Sequence, residues 1–198
     1  MLAKQNEPFT HVYFPESCVI SLVSRMADGA GVEVGTIGNE GMAGLPAYLE
    51  GDASESDTFC QVAGEALRLP VRALIDASAQ SADMRKLLNR YTQAYMGQVS
   101  QSVACNRLHD ITQRCARWLL MTHDRVYYAD SFPLKHEFLA LMLGVRRAGV
   151  TTAAGSLQDQ GFIRYRRGVI RIIDREGLIG ASCECYGIVR RQFDRLLP

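Results

Sequence analysis

The sequence lacks the common motifs that identify enzymes. It contains no nucleophile elbow, no P-loop and no His-x-x-x-His pair, and it has no cluster of carboxylates that would suggest a catalytic pocket. No run of residues is long and apolar enough to span a bilayer, and residues 1–9 are polar where a signal peptide would be apolar. These absences predict a soluble, cytoplasmic protein that is not an enzyme and has no membrane partner.

Six cysteines are present, but their irregular spacing fits a reducing cytosol better than a secreted disulfide scaffold. Cys183 and Cys185 form a C-x-C pair, which without a second pair or a nearby histidine falls below the usual zinc pattern. We therefore predict no metal ligands and no cofactor, and a redox or metal role for this pair is the alternative. No haem motif surrounds any of the four histidines, which are His11, His109, His123 and His136.

The most informative stretch is residues 134–173, where a short helix, a glycine turn, a second helix and a basic hairpin follow one another. Ala140 is small enough for two helices to approach closely, Gly144 permits the positive φ of the turn, and Val150 points from the second helix into the first. Their offsets of four and six residues are those of a helix-turn-helix. With Val150 and Leu157 turned inward, the opposite face of the second helix is small and polar.

A period-two alternation about Gly168 predicts a β-hairpin, or wing, with arginines at its tip over residues 163–172. From Lys135 to Arg175 there are eight Lys or Arg against three acids, a net charge of +5, whereas residues 1–60 have two bases against nine acids, a net of −7. This asymmetry localises polyanion binding to the C-terminal third. The alternative is a structural helix pair in an all-α core.

Short runs rich in β-branched and aromatic residues, HVYF, CVISLVS, VEVGTI, TFCQV and ALRLP, predict an antiparallel β-roll over residues 11–70. Helical periodicity begins near residue 71 and continues from Asp83 through Asp124, with a second helix segment opening near Arg117. One face of the long helix carries a stripe that predicts a dimer seam, with packing against its own β-roll as the alternative. The stripe comprises Leu88, Tyr91, Tyr95, Val99 and Ser102.

A β-roll, a long helix and a winged helix-turn-helix in this order resemble the Crp/Fnr family of bacterial transcription regulators. The resemblance is carried by HVYFPESCVISLV, VGTIGNEGMAGLPAYL, ARWLLMTHDRV, LALMLGVRRAGVTTAAGSLQDQGFIRYRRGVIRI and ASCECYGIVRRQFDRL. It implies an α+β protein with a sensor roll in residues 1–82, a dimerisation helix and connector in 83–127, and a DNA-binding domain in 128–198. The implied partners are double-stranded DNA, a second copy of the chain and RNA polymerase.

The resemblance places Arg147 at the base-reading position where a guanidinium bonds bidentately to guanine. The following glutamate of well-known members is Ala148 here, and a later arginine is matched by Thr152, so a different DNA sequence is expected. Ala148 and the threonine methyls suit thymine methyl groups, and the remaining arginines suit phosphates. The predicted DNA-binding residues are Arg146, Arg147, Ala148, Thr151, Thr152, Arg164, Arg166 and Arg167.

The sensor domain departs from its cyclic-nucleotide-binding relatives. Met42 replaces their ribose-binding glutamate in the segment from Gly41 to Leu45, and the acidic loop over residues 52–57 contains no arginine for a phosphate. We expect no cyclic nucleotide in the usual mode, and turn formation alone explains Gly41 and Gly44. The effector stays unknown.

Few residues precede the first strand, so the roll is expected to be incomplete or differently closed, with an edge at risk at residues 12–14. An alternative function is a ligand-sensing regulatory module that acts on a protein partner. The arginine-rich wing argues against it. Control by a ligand would require two orientations of the DNA-binding domain about a hinge over residues 127–133.

Overall fold

Five strands form the N-terminal roll, each at one of the predicted β-branched and aromatic runs. The computed structural model describes residues 1–126 and 129–197. The strands are β1 (His11–Pro15), β2 (Val19–Arg25), β3 (Gly31–Ile37), β4 (Asp57–Val62) and β5 (Ala66–Pro70). β2 pairs antiparallel with β3 and β4, and β1 pairs antiparallel with β5. Asp28 and Gly29 make the β2–β3 turn, where Gly29 has a φ of 84° and the Asp28 carboxylate accepts a bond from the amide of Ala30.

The predicted risk at the edge near Val12 is wrong, because that strand is covered. β1 pairs with β5 along its whole length, and Tyr13 exchanges two backbone hydrogen bonds with Ala43 on its other side. Val12 is fully buried. The residues before β1 also contribute, since the amide of Leu2 donates to the carbonyl of Thr58 at 2.8 Å. The residues before β1 therefore pair with β4.

The helices of the first two-thirds of the chain are α1 (Leu45–Tyr48), α2 (Val71–Gln80), α3 (Ala82–Leu108) and α4 (Ile111–Arg125). The predicted helical stretch is thus divided, and α4 begins at Ile111 rather than near Arg117. Asp110 causes the break by capping α4: its carboxylate accepts bonds from the amides of Thr112 and Gln113 at 2.8 and 3.0 Å. The Gln113 side chain accepts the amide of Asp110 in return, which completes a capping box.

The predicted dimer seam on α3 packs instead against the roll of its own chain. Leu88 and Tyr91 are buried in one apolar cluster with Val12 and Met42, and Tyr95 lies so close to Gly35 that a Cβ there would have no space. For these three residues the prediction was wrong, because an apolar stripe does not reveal whether its partner lies in the same chain, whereas dimer formation through α3 stays a prediction. The alternative, packing against the roll, is what the fold contains.

The C-terminal part comprises β6 (Ser131–Pro133), α5 (His136–Leu143), α6 (Arg147–Asp159), β7 (Ile163–Arg166), β8 (Val169–Ile172), α7 (Arg175–Ala181) and α8 (Cys185–Leu196). Its sheet has the strand order β6-β8-β7. The fold is α+β, as predicted. The predicted boundary between residues 127 and 128 lies outside the described residues, as does the start of the predicted hinge.

The roll and the C-terminal part share one hydrophobic core. Val19 and Val23 of the roll belong to the same buried cluster as Leu139 and Leu157 of the C-terminal helices. The rings of Phe59 and Phe138 meet edge to face, with centroids 5.9 Å apart. α5 is therefore held against the roll.

Glu33 connects the roll to α4 through a polar contact in this shared region. Its carboxylate accepts hydrogen bonds from the Ser21 hydroxyl at 2.6 Å and the Trp118 indole N–H at 2.7 Å. Burial raises the pKa of the Glu33 carboxyl to about 6 from an ordinary value of 4.5, although these hydrogen bonds oppose the rise. Folding therefore favours the protonated form of Glu33 more than the unfolded chain does.

Because of Glu33, the free energy of unfolding should decrease as the pH rises. A carboxyl whose pKa is raised on folding contributes stability that is fully present below pH 4.5 and is lost as the pH rises through about 6. We expect this loss to be about 1 to 2 kcal/mol in the free energy of unfolding, and to be absent in Glu33→Gln. Urea denaturation at intervals from pH 4.5 to 7.5 measures it, with exposed Glu16→Gln as the control. Parallel pH profiles for wild type and Glu33→Gln would contradict the prediction.

Candidate nucleic-acid interface

α5, a glycine turn and α6 form the predicted helix-turn-helix. α5 ends at Gly144, whose φ of 62° is left-handed, and the amide of Val145 donates back to the carbonyl of Ala140 at 3.0 Å. Val150 is fully buried and Ala140 is nearly so. The three positions singled out in the sequence therefore have the roles expected of them: close helix contact, positive φ and a buried plug.

The exposed face of α6 carries the residues predicted to read DNA. Its buried face consists of Val150, Ala153, Ala154 and Leu157. The predicted DNA-binding residues at the start of α6 are exposed on the opposite side, and they are Arg146, Arg147, Ala148, Thr151 and Thr152. Apart from the two arginines, the side chains on this surface are short, so the surface could lie against base edges without steric conflict.

Arg147 occupies the first turn of α6 and is 67% exposed. Its guanidinium forms an ion pair with Glu137 of α5 at 3.0 Å, and the Glu137 side chain is equally open to solvent at 61% exposure. Exposed pairs of this kind contribute about 0 to 1 kcal/mol, because water competes for both charges. Arg147 can therefore exchange Glu137 for another acceptor at little cost.

The wing is a β-hairpin with a two-residue turn and a basic outer face. Arg167 and Gly168 form the turn, with φ values of 51° and 76° that fit the I′ type favoured in such hairpins. Arg164 and Arg166 are exposed and alternate with the half-buried Tyr165. Arg171, which was not among the predicted site residues, lies opposite Arg164 in the strand register. Like charges facing each other repel, and a phosphate backbone would relieve this repulsion.

Several polar contacts that the sequence did not reveal hold the wing and α6 together. The His136 ring stacks on Tyr165 with centroids 4.4 Å apart, and its Nδ1 lies 3.1 Å from the Thr151 hydroxyl. The Gln158 side chain accepts the amide of Tyr165 at 2.8 Å. The sequence gives no sign of these contacts beyond the position of His136 in the first turn of α5, because its partners are distant along the chain.

A cavity of about 600 Å³ lies between the roll and α3, near the segment from Gly41 to Leu45. It is lined mainly by apolar side chains, with Glu55 as the one charged residue among its described lining residues. Met42 is buried, and its carbonyl accepts a bond from the Tyr91 hydroxyl at 3.0 Å. Gly44 adopts a φ of 103°, whereas Gly41 leaves space for the Tyr91 ring. Both glycines thus have structural roles.

The cysteine pair at residues 183 and 185 has neighbours that its spacing did not reveal. Cys105 and His109, at the end of α3, place their ligand atoms next to the two sulfurs. The sequence argument considered only neighbours along the chain, whereas folding supplies a histidine and a further cysteine from a distant part of it.

Comparisons with known proteins agree with this architecture. The sequence profile of the Crp-like helix-turn-helix domain matches residues 113–180. No curated protein matches the chain. None of the described helices is both long and apolar enough to cross a membrane.

Solved structures of transcription regulators share the fold. FixK2 from Bradyrhizobium japonicum is 16% identical, with a TM-score of 0.78 over 92% of each chain. TTHB099, a CRP family regulator from Thermus thermophilus, is 19% identical, with a TM-score of 0.76 over 93% of this chain and 95% of its own. The c-di-GMP responsive regulator CLP from Xanthomonas campestris is 16% identical, with a TM-score of 0.63 over 85% of this chain and 87% of its own.

Proposed function

We propose that this chain is a Crp/Fnr-type transcription regulator with a helix-turn-helix DNA-binding domain, and that it recognises a palindromic promoter site as a homodimer. The observation that carries the proposal is the exposed face of α6, flanked by a wing that exposes several arginines. A regulatory module acting on a protein partner would not need this combination. Action at promoters would place the protein in the cytoplasm and make RNA polymerase its second partner.

Direct reading of bases is assigned to the first two turns of α6. Arg147 can form two parallel hydrogen bonds to guanine, and the methyl groups of Ala148 and Thr152 suit thymine. The hydroxyls of Thr151 and Thr152 bond to the α6 carbonyls of Arg147 and Ala148, at 3.1 and 3.2 Å. Because these bonds occupy the hydroxyls, the threonines would offer their methyl groups to DNA.

Phosphate contacts are assigned to the arginines around this face. Arg146 precedes α6, and Arg164, Arg166 and Arg167 line the wing, all of them exposed. Phosphate contacts fix the position of the protein on the duplex and make its affinity depend on salt.

A dimer seam is proposed on the exposed side of α3 that borders the cavity between α3 and the roll. Met96 and Val103 lie one heptad apart and are 63% and 68% exposed, and Val99 lies between them. Two copies packed through this face would cover the exposed side chains. A two-fold dimer would also place two α6 helices at half-sites about 34 to 36 Å apart, one turn of DNA.

The sensor domain is proposed to be degenerate, which means that it does not bind cyclic nucleotides in the usual mode. The cavity beside α3 has no lysine or arginine among its described lining residues, so a phosphate buried there would lack a counter-charge. An effector entering this cavity would have to be largely apolar.

Selection of genomic DNA fragments by the purified protein without added ligand tests the proposal. We expect a palindrome for the wild type, with affinity that falls as salt rises. The double variant Met96→Asp/Val103→Asp should sediment as a monomer. Its affinity for the palindrome should be lower by a factor on the order of 10², because the second half-site no longer adds avidity.

Leu87→Asp is the matched control, since Leu87 is 55% exposed on α3 but lies about half a turn away from Met96 around the helix. It should remain dimeric and keep its affinity. A monomeric wild type that binds single half-sites would contradict the homodimer, and a wild type that selects no sequence would contradict ligand-independent DNA reading.

A further inference from the structure

Three cysteines and one histidine from two distant parts of the chain meet beside the C-terminal end of α3. Their ligand atoms all lie within 4.8 Å of one another. The cluster, called here the Cys3His cluster, consists of Cys105, His109, Cys183 and Cys185. The three cysteines are buried and His109 is half-buried. Cys105 lies in the last turn of α3 and His109 directly follows this helix, whereas Cys183 lies in the turn between α7 and α8 and Cys185 is the first residue of α8.

Two of the distances within the cluster are close to those expected around a single tetrahedral ion. The sulfurs of Cys105 and Cys183 are 3.5 Å apart, and the Cys185 sulfur lies 3.6 Å from His109 Nδ1. Zinc bonds of about 2.3 Å to sulfur and about 2.0 Å to nitrogen would place two sulfurs about 3.8 Å apart, and sulfur and nitrogen about 3.5 Å apart. A disulfide would require sulfurs at about 2.05 Å. Ligands of an iron–sulfur cluster bind different irons, whereas these four atoms are close enough to share one ion.

The second nitrogen of the histidine has the partner that metal-binding histidines usually have. His109 Nε2 lies 3.2 Å from a carboxylate oxygen of Glu184, the residue between the two cysteines of the turn. A carboxylate in this position holds the proton on Nε2 and leaves the lone pair of Nδ1 for a metal. The Gln101 amide also donates to the Cys185 sulfur at 3.1 Å, which would stabilise a thiolate.

A neighbouring buried cation lacks a counter-charge. Arg117 is 7% exposed, and among the described residues it has no carboxylate within ion-pair distance and no acceptor for its Nε. Its terminal nitrogen donates to the Ser102 hydroxyl, one turn before Cys105 on α3, and its charge acts on Cys105. Three thiolates and one Zn²⁺ carry a net charge of −1, which would balance this guanidinium.

We propose that the Cys3His cluster is a structural zinc site that fastens the end of α3 to the turn between α7 and α8. Three sulfurs and one nitrogen in a tetrahedron favour Zn²⁺, and four protein ligands leave no open position for catalysis. The proposal is independent of DNA recognition. It would fix the C-terminal helices of the DNA-binding domain to the helix that carries the proposed dimer seam.

Metal analysis of the full-length protein, purified without oxygen and with a reductant, tests this proposal. We expect about one zinc per chain by elemental analysis, and replacement by Co²⁺ should give the intense visible bands of tetrahedral thiolate coordination. Cys185→Ser and His109→Ala should lose the stoichiometric metal. Glu184→Gln, which keeps all four ligands, should bind it about 10- to 100-fold more weakly.

Two cysteines outside the cluster provide matched controls: Cys60 is exposed, and Cys115 is buried in the core. Cys60→Ser and Cys115→Ala should keep the metal. Because a ligand variant could fail to fold, His109→Cys is included, and it should retain Co²⁺ with a shifted spectrum.

Three results would overturn the zinc site. They are a reduced wild type that takes up neither Zn²⁺ nor Co²⁺, full metal content in Cys105→Ser, and a Cys105–Cys183 disulfide that persists in the protein purified with reductant. None of these measurements involves DNA, so failure of the zinc site and failure of the proposed DNA reading are distinguishable.

Discussion

Arg147→Ala weakens binding to the selected DNA by about 1 to 3 kcal/mol per half-site, roughly 5- to 150-fold, and relaxes the preference at the guanine it contacts. The effect is large because the bidentate contact is lost while the rest of the face is unchanged. Fluorescence anisotropy with the palindrome, and with versions altered at single base pairs, measures both quantities. The folded protein should be unaffected, since Arg147 is exposed and its one ion pair is with the exposed Glu137.

Two controls separate base reading from charge and from structure. Arg166→Ala should weaken all DNA sequences about equally and lower the slope of log affinity against log salt by about 1, as expected for a phosphate contact. Glu137→Ala removes the partner of Arg147 in the free protein and should leave base preference intact. Base reading by Arg147 would be refuted if the alanine variant kept the wild-type preference at every position of the half-site.

Glu40→Ala lowers the free energy of unfolding by about 3 to 5 kcal/mol, because it leaves a buried cation without its partner. Arg125, at the end of α4, is 8% exposed and pairs with Glu40 of the roll at 2.7 Å. The same guanidinium donates to the Met121 carbonyl at 2.8 Å and to the Gln98 side chain at 3.3 Å. Urea unfolding at pH 7 measures the loss.

The double variant Glu40→Ala/Arg125→Met tests the cause of that loss. Removing both charges should recover a large part of the stability, since a buried pair replaced by apolar side chains is often neutral. Glu50→Ala, a change of one exposed acid at the end of α1, should alter stability by less than about 0.5 kcal/mol. If the double variant were less stable than Glu40→Ala alone, the unpaired charge would not be the cause.

Local features of the fold could be predicted from the sequence because their causes are local. The strands of the roll follow period-two runs, and the helix-turn-helix follows from the residues at 140, 144 and 150. The start of α4 was also readable, since Asp110 and Gln113 have the spacing of a capping box. The uninterrupted periodicity around them suggested a longer helix.

Features that depend on which surfaces meet could not be predicted. α3 has apolar residues on two faces: Leu88 and Tyr91 are buried against the roll, and Met96 and Val103 are exposed. Periodicity identifies apolar residues on a helix but not their partners. The Cys3His cluster could not be predicted for the same reason, because Cys105 and Cys183 are 78 positions apart and only the tertiary fold brings them together.

The contacts that join the wing to α6 have a consequence for the shape of the DNA. His136 and Gln158 hold Tyr165 in place, so α6 and the wing would approach a DNA duplex at a fixed separation. A rigid protein surface leaves the DNA to adjust its groove width and curvature, and the energy of that adjustment depends on sequence. Flexible pyrimidine–purine steps between the contacted bases would therefore influence which promoters are bound, at positions that no side chain touches.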